Sequence, residues 1–127
     1  MNPTSPSPKQ QLAVWWVIWA AFQSGIVVIY YFLGRDAAAT GSALAIWPLA
    51  FVPVLLSGAV RWAVLPMFHD AQKALPFFVL GLALAEVTCF LGIFVFPAHK
   101  IPLFAASVLG ILQFMPLFAT RYFDHPE

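Results

Sequence analysis

Charge is what this sequence has least of. Only 9% of its 127 residues are Asp, Glu, Lys or Arg, while 62% are apolar; soluble domains carry about 25% and about 45–50%. A free-standing water-soluble globule is thereby excluded, because its surface would lack charge. So is a disordered chain, which combines low hydrophobicity with high charge. Six Lys and Arg against five Asp and Glu leave a net charge of +1, no field for nucleic acid as a partner. The single cysteine, Cys89, excludes an intramolecular disulfide and a cysteine-based zinc knuckle. What remains is an all-α integral membrane protein, multi-pass in the cell (inner) membrane, with the lipid bilayer as its first partner.

A membrane helix needs about 20 mostly apolar residues to cross about 30 Å of hydrocarbon. Four such runs are present: residues 12–33, 43–62 with Arg61 and Trp62 closing the run, 74–96, and 101–120 with Arg121 behind it. Continuous runs such as Ile26-Val27-Val28-Ile29-Tyr30-Tyr31-Phe32-Leu33 lack the alternation of barrel strands, so an antiparallel bundle of four transmembrane helices is expected. Pro76 and Pro102 fall in first helical turns, where a missing N–H is harmless. Pro48, Pro53 and Pro116 predict kinks. Pro97-Ala98-His99-Lys100 is short enough to make the third and fourth spans a hairpin, and residues 61–73 read as the main polar loop.

Residues 1–11, with Pro3, Pro6 and Pro8 among Ser and Thr, read as a disordered tail, residues 12–122 as the membrane domain and 123–127 as a short polar tail. Lys9 precedes the first run, but no small-x-small cleavage pattern follows near Gly25, so a retained helix is expected. With both termini cytoplasmic, Lys9, Arg61, Lys73 and Arg121 lie inside and only Arg35 and Lys100 outside, as the bias of Lys and Arg toward the cytoplasm requires. Trp15, Trp16, Trp62 and Tyr122 then mark one interface, Tyr30, Tyr31 and Trp47 the other, and the Trp15-Trp16-Trp19 cluster reads as an interfacial anchor.

Ten of the charged side chains fall in tails, loops or span ends. Glu86 does not: it stands 12 residues beyond Ala74, near the middle of the third run. An intramembrane carboxyl costs a few kcal/mol and marks a functional site by default. Its neutral form is the cheaper one there, and it both donates and accepts a hydrogen bond. Gln23 and Ser24 in the first run, and Ser107 and Gln113 in the fourth, sit at similar depth and are the expected partners. Around Glu86 runs a stripe of small residues, Gly81, Ala85, Cys89 and Gly92, repeated as Ala21 with Gly25 and Ala106 with Gly110. Such stripes let helices approach closely.

The segment Gly81-Leu82-Ala83-Leu84-Ala85-Glu86-Val87-Thr88-Cys89-Phe90-Leu91-Gly92 resembles the ion-carrying helix of the rotary ATP synthase proteolipid, subunit c, whose V-type relatives have four helices. The resemblance implies that Glu86 corresponds to the proton- or sodium-binding carboxylate. It covers a dozen residues. The first run carries only Gly25 and Gly34 beside Trp15, Trp16, Trp19 and Phe22, where the family has a Gly-rich partner helix. As a whole the chain resembles small bacterial four-helix membrane proteins.

His69, His99 and His125 lie outside the runs, so neither a metal nor a haem cofactor is expected, and Ser57, Ser107 and Cys89 have no adjacent base for nucleophilic catalysis. The expectation is a non-enzymatic protein of structural or accessory role, forming a homo-oligomer or joining a membrane-protein partner, built around Glu86 bonded to Gln and Ser. The alternative is a proton- or sodium-handling subunit with Glu86 as carrier.

Overall fold

A computed structural model describes residues 7–34 and 46–122 of the chain. The expectations for residues 1–6, for Arg35, for the start of the second run and for the tail 123–127 with His125 lie outside the described residues. Among those described, every regular element is helical. Three helices are long and apolar enough to cross a membrane: α1 (Pro8–Gly34), α2 (Trp47–Met67) and α3 (Ala71–Phe94). A shorter apolar helix, α4 (Lys100–Leu112), follows a turn of 3-10 helix at Pro97–His99.

α1 begins four residues earlier than expected, which makes Pro8–Gln11 helical instead of part of a disordered tail. The cause is local. Ser7 Oγ accepts from Gln10 N at 3.2 Å while Ser7 N donates to Gln10 Oε1 at 2.9 Å, a capping box, and Pro8 stands in the first turn, where it has no N–H to lose. Trp15, Trp19, Phe22, Ile26 and Tyr30 follow at helical spacing and belong to the core. Trp15 is buried with its ring 4.5 Å from Phe78, and Trp19 is partly buried against the core, so both pack against protein.

α2 changes its winding three times: 3-10 over Trp47–Phe51, α over Val52–Ala59, π over Val60–Val64, and 3-10 again over Leu65–Met67. Pro53 cannot donate to Leu49, and its ring crowds that carbonyl. Here a neighbouring side chain enters the ladder. Thr88 Oγ1 of α3 donates to Ala50 O at 2.9 Å and accepts from Val54 N at 3.2 Å, bridging the two groups that a regular helix would join directly. Thr88→Val keeps the shape and removes the bridge. It is expected to lower the unfolding free energy by about 1 kcal/mol, read from unfolding in mild detergent with circular dichroism.

Nothing between Arg61 and Pro66 stops α2. The helix therefore runs to Met67 instead of closing at 62, and the expected polar loop shrinks to Phe68–Asp70. Asp70 Oδ1 caps Gln72 N at 3.0 Å, which starts α3 at Ala71 and not at 74. At the far end Pro116 ends α4. Its missing N–H and its ring act on the carbonyl four residues back, that of Leu112, and regular α-helix stops there in place of the expected 101–120. The chain goes on through the 3-10 bonds Phe114 N to Ile111 O and Met115 N to Leu112 O, both 3.0 Å.

α3 lies at the centre and touches the other three helices, most extensively α4. Gly92 faces Leu103, Ala85 faces Gly110 and Gly81 faces Phe114, an antiparallel register that the short Pro97–His99 connection permits. Trp15 against Phe78 and Gly34 against Ile93 set α1 parallel to α3. The rings of Trp47 and His99 stack at 4.0 Å, and Val54 meets Gly110, which sets α2 parallel to α4. Successive helices thus alternate in direction.

Candidate functional site at the broken end of α4

Ending a helix inside a packed core leaves carbonyls without intrahelical donors. In an apolar setting each such group costs several kcal/mol if it stays unpaired. At this break Ile111 O and Leu112 O keep 3-10 donors in Phe114 N and Met115 N. Gln113 O takes its donor from α2, and side chains of α1 and α2 add further bonds at Ile111 and Gln113. Trp19 Nε1 of α1 donates to Ile111 O at 2.8 Å. Arg61 Nε of α2 donates to Gln113 O at 2.8 Å. Trp62 Nε1 donates to Gln113 Oε1 at 2.9 Å. Gln113 Nε2 in turn donates to Ser57 Oγ at 3.3 Å, and Ser57 Oγ donates to Val54 O at 2.7 Å.

Arg61 is held on two further sides. Its guanidinium carbon lies 4.1 Å from the centre of the Trp62 ring and 4.0 Å from that of Phe118, both within the range of a cation–π contact. Arg61 and Trp62 project from the π-helical turn Val60–Val64. That turn carries one more residue than an α-turn and so brings two consecutive side chains toward Gln113; such turns occur often at functional sites. A cation beside terminal carbonyls also matches the negative end of the α4 dipole. The sequence reading put Arg61 at the end of a span. The structure puts it six residues before the end of α2 and makes it the centre of the polar network.

Of the five residues expected to share one polar site, Gln113 joins this network. The other four do not. Ser24 bonds back to Ala20 O at 2.7 Å, along its own helix and exposed. Gln23 Oε1 and Ser107 Oγ are buried without a hydrogen-bond partner. Glu86 is half-buried on the flank of α3. Among the described residues no hydrogen bond joins it to Gln23, Ser24, Ser107 or Gln113, so the expected Glu–Gln–Ser cluster is not formed. Its place explains this: Ala85 and Thr88, on either side of it in sequence, point at α4 and α2, which turns Glu86 away from both.

The small-residue stripe divides in the same way. Gly81, Ala85, Cys89 and Gly92 are buried, and Gly110 with them. A Cβ on Gly110 would lie 2.5 Å from Val54 Cγ2 and 3.1 Å from Ala85 Cβ, so the closeness of α2, α3 and α4 depends on that glycine. Ala106 lines an open groove between α2 and α4. Ala21 is exposed, and nothing lies within 4 Å of where a Gly25 Cβ would stand. Among the described residues, the α1 pair therefore does not form a close helix seam like that at Gly110.

The polar network was legible only in part. Pro116 was visible as a break, and a break implies orphan carbonyls near 111–113. The donors that meet the oxygens there, Trp19 on Ile111 O, Arg61 on Gln113 O and Trp62 on the Gln113 side chain, come from helices far away in sequence. Compared with known protein families, curated proteins and solved structures, the chain matches none of them.

Proposed function

We propose that the chain is a multi-pass membrane protein of structural or accessory role, crossing the bilayer four times with both termini on the cytoplasmic side, and that Glu86 is its contact for a second copy. Support for a fourth crossing comes from the path beyond α4. His99 lies beside Trp47 at one end, and Phe118 lies 6.0 Å from Trp15, level with the beginnings of α1 and α3. α4 and the residues after its break together cover the depth that the three longer helices cover. Buried Phe114, Pro116 and Ala119 pack that lower part.

The observation that carries the role is the flank position of Glu86. It stands eight residues before the end of α3, which is about 12 Å of helix at 1.5 Å per residue. Among the described residues it has no hydrogen bond. A carboxyl left against hydrocarbon is expensive, and a second protein surface that offers a hydrogen-bond partner removes that cost. The exposed Ala21 and the open space at Gly25 leave room for a helix to approach.

Sedimentation of the full chain in mild detergent tests this. The wild type is expected to associate. Glu86→Leu is expected to shift it to monomer, with association weakened by about tenfold or more, the worth of about 1–2 kcal/mol for a hydrogen bond between membrane helices. Glu86→Gln, which still donates and accepts, is expected to retain most of it. A wild type that sediments as a monomer at every concentration overturns the reading.

A further inference from the structure

Glu86 lies on the α1 side of α3, away from α4. Ala85 points at Gly110 of α4, and Ile93 meets Gly34 of α1. Glu86 is turned about 100° from Ala85 and stands seven residues before Ile93, two helical turns, so it follows the Ile93 side. On α1, Trp19 and Tyr30 meet α4, and Gly25, six residues after Trp19, is turned about 120° from it. The contact of Trp15 with Phe78 sets the relative depth of the two helices. Gly25 is ten residues beyond Trp15 and Glu86 eight beyond Phe78, so they share one depth to within about 3 Å. A Cβ on Gly25 would meet nothing within 4 Å, which leaves the space beside Glu86 open.

We propose that Glu86 pairs with Glu86 of a second copy, the two carboxyls hydrogen-bonded to each other on a two-fold axis along the membrane normal. The inference rests on the reading of Glu86 as a contact for a second copy and names the group it meets. Two copies of one chain take the same orientation across the bilayer, and a closed pair of identical chains is related by a two-fold axis. In a membrane that axis stands along the bilayer normal, so each residue faces residues at its own depth. Few polar side chains lie at the depth of Glu86 among the described residues. Ser57, Thr88 and Gln113 are bonded within the chain. Ser107 is fully buried, and so is Gln23 Oε1. Ser24 is exposed, but its hydroxyl already donates to Ala20 O at 2.7 Å. It could only accept, which would leave the carbonyl oxygen of Glu86 without a donor. A neutral carboxyl donates one hydrogen bond and accepts others, so two of them face to face satisfy each other.

The test is resonance energy transfer in bilayers between full chains labelled at the N-terminus, with wild type and Glu86→Leu paired in every combination. When a carboxyl pairs with itself, one altered chain removes the contact. The mixed pair is therefore expected to associate about tenfold more weakly than the wild-type pair, and no better than two Glu86→Leu chains. If Glu86 met a different residue, a two-fold dimer would hold two such contacts and the mixed pair would keep one. A mixed pair midway between the two uniform pairs thus overturns the proposal. Ser24→Ala, at an exposed position, is expected to leave association unchanged; a loss as large as that from Glu86→Leu overturns the proposal as well. Circular dichroism of each variant is expected to match wild type. Wild-type chains that show no transfer at any protein-to-lipid ratio fail the second-copy reading and the pairing together. Wild-type association with a midway mixed pair fails the pairing alone.

Discussion

Arg61→Ala is expected to lower the unfolding free energy by about 3 kcal/mol, the largest loss from any single polar side chain in this protein. A hydrogen bond from a charged donor is worth about 1.5–3 kcal/mol. Two aromatic faces add about 0.5–2 kcal/mol when water is scarce. Against this stands the relief of no longer holding a cation inside an apolar helix, which keeps the net from reaching the sum. The loss does not end with the guanidinium, because Gln113 O is left at the end of a helix that Pro116 forbids to continue. Arg61→Lys is the informative companion. Lysine keeps the charge, but its compact ammonium cannot place a planar donor on a carbonyl while lying over two rings, so about half the loss is expected to remain. Unfolding in mixed micelles, followed by circular dichroism, reads both changes. An Arg61→Ala protein as stable as wild type would show that another group closes the end of α4.

Gly81→Leu is expected to be worse still, leaving little folded protein to recover. A Cβ at Gly81 would overlap the tip of the Phe114 ring. That ring is fully buried, with its centre 6.0 Å from that of Phe78, so it has nowhere to turn. Backbone must move, and α3 and α4 must separate along the seam that also holds Ala85 against Gly110 and Gly92 against Leu103. Overpacking of this kind costs about 1–3 kcal/mol even where side chains can adjust, and more is expected here because they cannot. The contrast is Gly25→Leu, whose Cβ would meet nothing within 4 Å among the described residues and which is expected to change the stability of the monomer by less than about 0.5 kcal/mol. Should Gly25→Leu instead weaken association, it would locate the approaching helix beside α1. Size-exclusion profiles and thermal unfolding of the two variants, side by side, make the comparison.

The two variants also mark where the sequence could be read and where it could not. The glycine and alanine spacing in α3 was plain, and so was the short connection to α4; together they define the α3–α4 seam. The seam occupies Gly81, Ala85 and Gly92 within the chain, so these residues do not supply an outward face for association. Ser7-Pro8-Lys9-Gln10 has the spacing of a capping box, whereas the prolines at 3, 6 and 8 give residues 1–11 the composition of a disordered tail. Arg61 was hidden for a different reason. Charge near the end of an apolar run normally means water, and only the three-dimensional meeting of α2 with the interrupted end of α4 gives an arginine a reason to lie further in. The bridge from Thr88 across Pro53 is likewise a long-range event, with Thr88 34 residues from Val54 in sequence. Glu86 stands out in the sequence by its position, but the side of α3 on which it lies depends on the register with α2 and α4, which periodicity in so uniformly apolar a helix does not encode.

The most direct test of the account is the reaction of Glu86 with a hydrophobic carbodiimide, in bilayers, at a series of protein-to-lipid ratios. Such reagents attack neutral carboxyls from the apolar phase. With Glu86 half-buried on the flank of α3 and covered further when a second copy docks, as proposed, labelling is predicted to be high at great dilution in lipid and to fall as the chains are brought together. Labelling that stays the same at every ratio, or that never occurs even in the most dilute bilayers, would contradict it.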